Sequence, residues 1–217
     1  MSKKFSLPQE RGYDQAYELS YEMACNRLKT NSDIMGQCVK AGVEYVTRSG
    51  KNKIQISYLG RFYYITLPGV EISPADSTEP VPVRDQLLIL HYFNTANGMP
   101  VTGRLITFRE LPSGPIYFPT FTKRTVSPII EKYKKKPQKL IAAAAKLGGQ
   151  QTSYGDVSVE IPAFPRVKIT IVLWQGDAEL PAEANILFDA NIAGYLPTED
   201  ITVLSETITW KLVKSQV

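Results

Sequence analysis

Histidine is almost missing from this chain: His91 is the one imidazole in 217 residues. A zinc site built on several histidines is therefore excluded unless carboxylates supply most of the ligands. Cysteine is nearly as scarce. Cys25 and Cys38 have no close-spaced partner, so neither CxxC redox chemistry nor a zinc ribbon can be assembled from them. No apolar stretch reaches the length of a membrane-crossing helix. The first ten residues are basic but have no apolar run behind them, which does not fit a secretory leader. A cytoplasmic protein without membrane contact is the expectation. The GxGxxG turn, the GxxxxGK phosphate loop and the GxSxG elbow are absent too, which removes the standard nucleotide-binding and hydrolase signatures.

What is present suits one globular domain. Hydrophobic residues make up 43% of the chain, and a chain of this length can bury most of its apolar surface without disulfides or a structural metal. Charge is unevenly placed. Lys123, Arg124, Lys132, Lys134, Lys135, Lys136 and Lys139 crowd one stretch against the single Glu131. Between Lys168 and Lys211 there is no Lys or Arg, while Asp177, Glu179, Glu183, Asp189, Glu199, Asp200 and Glu206 accumulate. Such a dipolar molecule can steer charged partners, although a basic run is commonly just a solvated helix end. The run Lys134 to Lys136 lacks interleaved aromatics, so a nucleic-acid groove is not expected.

Periodicity predicts an amphipathic helix over Tyr13–Lys29 and a second through Ile34–Val39, opened by Asn31-Ser32-Asp33 and stopped by Gly42, the two forming a hairpin. Ile54–Tyr58 and Phe62–Leu67 alternate around Leu59-Gly60-Arg61 and read as a β-hairpin. Residues 73–82, with three prolines, read as a connector. Val83–Ala96 is apolar nearly all round, the pattern of a buried central helix. Gly103–Leu111 and Ile116–Phe121 read as short strands about the turn Pro112–Pro115. Helices are expected over Arg124–Lys135 and from Pro137 to Ala145. Strands are expected at Val157–Ile161 and Val167–Trp174, and a last helix begins with Thr198 as its cap. The sum is a tail over residues 1–12 and one α+β domain over 13–217. Its sheet would be mixed and mostly antiparallel, with flanking helices.

Six residues are the candidates for a ligand-binding site: His91, Arg109, Trp174, Asp177, Asn185 and Asp189. His91, within the apolar helix, can serve as a general base or an axial ligand; the commoner fate of such a residue is burial with a hydrogen bond to a neighbour. Arg109, on an expected strand with Glu110 facing the other way, offers a planar fork to a carboxylate or phosphate, or an internal ion pair with a late acid. Asp177, Glu179 and Asp189 can cluster to hold a cation or tune one another's pKa. They fit no calcium-loop spacing, and the plainer account has Asp177 in a solvated loop and Asp189 capping amides. Trp174 ends a strand and can stack on a planar ligand. Asn185 is expected near a strand end, where sites concentrate. The expectation is that the imidazole, the guanidinium and the acidic bend share one cleft.

Several segments carry a family resemblance. They are Pro82-Val83-Arg84-Asp85-Gln86-Leu87-Leu88-Ile89-Leu90-His91-Tyr92, Phe108-Arg109-Glu110-Leu111-Pro112, Tyr117 with Phe121 and Arg124, Trp174 with Gly176 and Asp177, Asn185-Ile186-Leu187-Phe188-Asp189, and Tyr195-Leu196-Pro197-Thr198-Glu199-Asp200-Ile201. Together they resemble domain-of-unknown-function family 3786, a family of anaerobic bacteria and archaea. The resemblance implies an accessory role beside anaerobic redox or corrinoid enzymes, because some relatives carry a fused cysteine-rich iron–sulfur segment. This chain lacks it: two separated cysteines cannot supply the four thiolates of a cluster. Three functional classes stay open: a small-molecule or cofactor-binding module with a redox or corrinoid partner protein, an enzyme using His91 or an acid of the 177–189 loop as general base on an anionic substrate, and a protein-interaction adaptor. The sequence identifies no cofactor.

Overall fold

In the computed structural model, residues 11–216 are described, with side chains from Tyr17 onward. The expected tail therefore lies largely outside the described residues. The first helix, α1, spans Arg11–Lys29, and α2 spans Ile34–Ala41. Asp33 starts α2 by accepting the Gly36 amide at 2.8 Å. Gly42 ends it at φ 67°, where a residue without Cβ is unstrained. Both helices are pinned to a central helix, α3 (Val83–Thr95), by buried polar bonds. Asn94 Nδ2 donates to Ala24 O, Gln37 Nε2 to Phe93 O and Ala96 O, and Tyr92 Oη to Ala41 O. As its composition predicts, α3 is buried on nearly every side, with Leu90, Tyr92 and Phe93 fully enclosed.

Between α2 and α3 runs an antiparallel meander of four strands: β1 (Glu44–Arg48), β2 (Lys51–Tyr58), β3 (Arg61–Thr66) and β4 (Glu71–Pro74). The β2–β3 hairpin forms as its alternation predicts, with both turn residues, Leu59 and Gly60, at positive φ. The connector expected from residue 73 begins only after β4. A second antiparallel sheet has the order β5-β9-β8-β7-β6, built from β5 (Leu105–Thr107), β6 (Gln150–Thr152), β7 (Val157–Phe164), β8 (Val167–Trp174) and β9 (Glu183–Asp189). Its middle strand, β8, is buried on both faces from Ile169 to Leu173. The remaining helices are α4 (Gly114–Arg124), α5 (Val126–Tyr133), α6 (Gln138–Ala145) and α7 (Thr198–Lys214). One continuous apolar core draws on both sheets and on α3 and α7, and Leu59 N donates to Ala163 O across the two sheets at 3.1 Å. The α+β single-domain expectation holds, with the pairing divided between two sheets and antiparallel throughout the described residues.

Three local readings are corrected. Ile116–Phe121 is helix, not strand. Its aromatic residues, Tyr117 and Phe121, are spaced for one helix face, and Pro115 suits the first turn, where its missing N–H costs nothing. The strand expected to Leu111 stops at Thr107, because Glu110 folds back onto the Thr107 amide at 2.7 Å and closes a 3-10 turn over Phe108–Glu110. Thr198, expected as a cap, instead lies in the first turn of α7 and donates to Pro112 O.

Candidate functional site

His91 sits on a side of α3 that reaches the surface, and its Nδ1 meets Asp200 Oδ2 of α7 at 2.7 Å. Their side chains are 28% and 12% exposed, so the pair is lodged between helices with one edge open. A carboxylate accepts, so Nδ1 carries a ring hydrogen; in the neutral imidazole Nε2 is then the nitrogen with the lone pair. Nε2 has no protein partner among the described residues. Asp200 holds this position because it lies in the first turn of α7, where the helix dipole favours a carboxylate. The Thr95 hydroxyl, one turn beyond His91, shares its one hydrogen between His91 O and Tyr195 O, tying the helix to the segment that leads into α7.

The other five candidates take separate posts. Arg109 is not on a strand; it stands exposed in the 3-10 turn with its guanidinium 4.0 Å from the centre of the Phe118 ring, and no carboxylate pairs with it among the described residues. Trp174 ends β8, 40% exposed, with its indole packed over Gly155. Asp177 turns its own loop: Oδ1 accepts the amides of Glu179 and Leu180, both at 2.8 Å. These amides, Leu180 first, hold its carboxyl below the usual range. Asn185 lies within β9 opposite Val172, its Oδ1 turned onto the next amide. Asp189 is buried at the other end of β9. It accepts from the Thr102 amide and hydroxyl and from the amides of Gly103 and Asn191. Burial pushes its pKa up, but those donors outweigh it and the carboxyl is held low. The sheet register thus places Trp174, Asp177 and Asn185 at one end and Asp189 at the other. None of the six lines the cavities described below.

Sequence reasoning missed the cleft where α4 meets the start of α7. Tyr117, Thr120, Phe121 and Arg124 form one wall, and Thr198, Glu199 and Thr202 form the other, around about 220 Å³. Phe121 is fully buried and stacks on Phe108 at 3.9 Å between centroids, which makes a fixed apolar floor. The Tyr117 ring is exposed at the mouth. Arg124 stands at the rim with Nη1 3.2 Å from Glu206 Oε1, and Glu199 lies one residue before the dyad carboxylate of Asp200. The signal that would have found this cleft is the spacing of Tyr117, Phe121 and Arg124 at i, i+4 and i+7, which a helix places on one face.

Larger hollows lie elsewhere, two of them in the angles between elements. One, of about 550 Å³, is bounded by α1, the β3–β4 turn and α3; it includes Tyr21, Cys25 and Lys29. The other, of about 370 Å³, lies where the β2–β3 turn meets the ends of α6 and α7. No helix among the described residues is long and apolar enough to cross a membrane.

No curated protein and no solved structure matches the chain. A family profile described as a domain of unknown function, DUF3786, matches residues 36–210. Every residue lining the α4–α7 cleft falls inside that range. The α1 hollow draws on residues before it, and the hollow at the helix ends draws on Lys211, Lys214 and Ser215 after it. The match covers well over half of the sequence and agrees with the segments quoted above, and on that ground the chain belongs to the DUF3786 family.

Proposed function

We propose that this protein is a small-molecule or cofactor-binding module whose site is the α4–α7 cleft, serving as an accessory beside anaerobic redox or corrinoid enzymes. One observation carries the reading: the cleft is lined wholly within the family range, largely by Tyr117, Phe121, Arg124, Thr198 and Glu199 from the segments that carry the resemblance. Its chemistry suits a compact amphipathic ligand. The Phe121 floor and the Tyr117 ring take an apolar or planar portion, while Arg124 and Glu199 offer opposite charges to polar ends. The accessory role rests on what the resemblance implies and on a chain whose two cysteines cannot hold a cluster alone. Native mass spectrometry of protein purified without oxygen tests the reading. The expected result is a retained small mass in the wild type that Tyr117→Ala and Arg124→Ala both lose while remaining folded. Absence of retained mass, together with no thermal stabilisation by any compound of a metabolite panel, sinks it.

The His91–Asp200 contact at 2.7 Å favours a second reading, an enzyme that uses Nε2 of His91 as general base on an anionic substrate. Asp177 and Asp189 are poor bases, since their lone pairs are taken up by amides and their pKa values are lowered. Turnover found in a substrate screen should fall at least about a hundredfold in His91→Gln. Full turnover in that variant removes His91 from catalysis.

A further inference from the structure

Four cations converge on the hollow between the β2–β3 turn and the C-terminal ends of α6 and α7. Arg61 arrives from β3, Lys146 from the end of α6, and Lys211 and Lys214 from the last turn of α7; Tyr58, Tyr63 and Ser215 complete the polar lining, and among the described residues no carboxylate lines it. A lysine at the end of a helix is ordinary, because it faces the negative pole of the backbone dipole. That accounts for α6 and α7 singly. It does not account for their ends meeting around one cavity, nor for a guanidinium delivered there by a separate sheet.

The protein supplies little compensating charge. Arg61 pairs with Asp76 at 2.7 Å, and Asp85 lies beneath the floor, accepting from Tyr58 Oη at 3.0 Å. Lys146 donates to the backbone carbonyl of Gln216, and Lys214 lies 5.9 Å from the centre of the Trp210 ring. Lys211 makes no ion pair among the described residues. Among the described residues, three ammonium groups on exposed lysines thus border the cavity with no acid paired to them, a concentration of positive charge that attracts an anion.

The wall is also held in place. Gly60 sits at φ 78° with its Cα against the backbone of Leu147 and Gly148, and Leu59 N is bonded to Ala163 O. Arg61 therefore leaves a turn that is locked onto the end of α6. A planar fork on a fixed turn and flexible point charges opposite are complementary ways of holding phosphate oxygens.

We propose that this cavity binds a compact phosphorylated small molecule carrying two or more negative charges. The site is independent of the α4–α7 cleft, and it uses Lys211, Lys214 and Ser215, which lie beyond the matched family range. Pyrophosphate is the probe. Titration calorimetry on the full chain in phosphate-free buffer of low ionic strength should show saturable binding at one site. Lys146→Ala and Lys211→Ala should each weaken it about tenfold, the loss of one charge-assisted contact. Lys135→Ala, an exposed cation outside the cavity, should leave it unchanged, with all variants matching the wild type in thermal stability. No saturable binding to the wild type overturns the proposal, as does equal weakening by Lys135→Ala. Citrate binding as tightly as pyrophosphate overturns the phosphate assignment.

Discussion

At Asp189 one carboxylate collects four donors: the amides of Thr102, Gly103 and Asn191 and the hydroxyl of Thr102. These bonds hold the loop after α3 against the end of β9. Asp189→Ala leaves buried amides unpaired and should cost about 3 kcal/mol at neutral pH, read as a lower melting temperature. The pH dependence follows from the lowered pKa. A carboxyl whose folded pKa lies below its unfolded value stabilises the fold above the ordinary carboxylate range, and that contribution disappears as pH falls through the folded value. The gap between wild type and variant should therefore narrow steadily on acidification below about pH 4. An unchanged gap at low pH would contradict this account. The role was legible from the residue type, since Asp favours backbone amides. Its partners were not, because Thr102 and Gly103 lie far away in sequence. The same limit hid Asp200 as the partner of His91: α3 and α7 are more than a hundred residues apart, and only packing brings them together.

The β2–β3 hairpin shows what an element adds beyond its residues. Gly60 must adopt positive φ, and a Cβ there would stand 2.8 Å from backbone atoms of Leu147 and Gly148. Gly50, in the β1–β2 turn, has a similar φ of 70° but open space around it. Gly50→Ala should therefore cost about 1 kcal/mol, the conformational penalty alone. Gly60→Ala should cost at least about 2 kcal/mol, because the hairpin must also lift from α6. Equal losses in chemical denaturation would show that the contact is idle. This hairpin was plain in the sequence, as alternation and a turn glycine act over a few neighbours. The α4 helix was not, because Gly114, Pro115 and a string of aromatics imitate a strand-and-turn pattern. The decision came from Phe121, whose place against Phe108 and the second sheet is a tertiary fact.

Across the whole molecule, composition and periodicity were enough to predict a single α+β domain organised around α3. The partition into two sheets was beyond them, because β1, β4 and β6 are short and largely polar and are specified by their partners more than by their own residues. The site was the least legible level: six residues chosen for their chemistry proved to serve several posts, while a cleft of ordinary side chains arose where two helices cross. The anchoring of α1 has a further meaning. Asn94, deep in the recognisable stretch, hangs its carboxamide on Ala24 O, and Leu28 fills the same core. A protein cut to the signature that starts at residue 36 would lose both contacts and begin life with an open seam along its central helix.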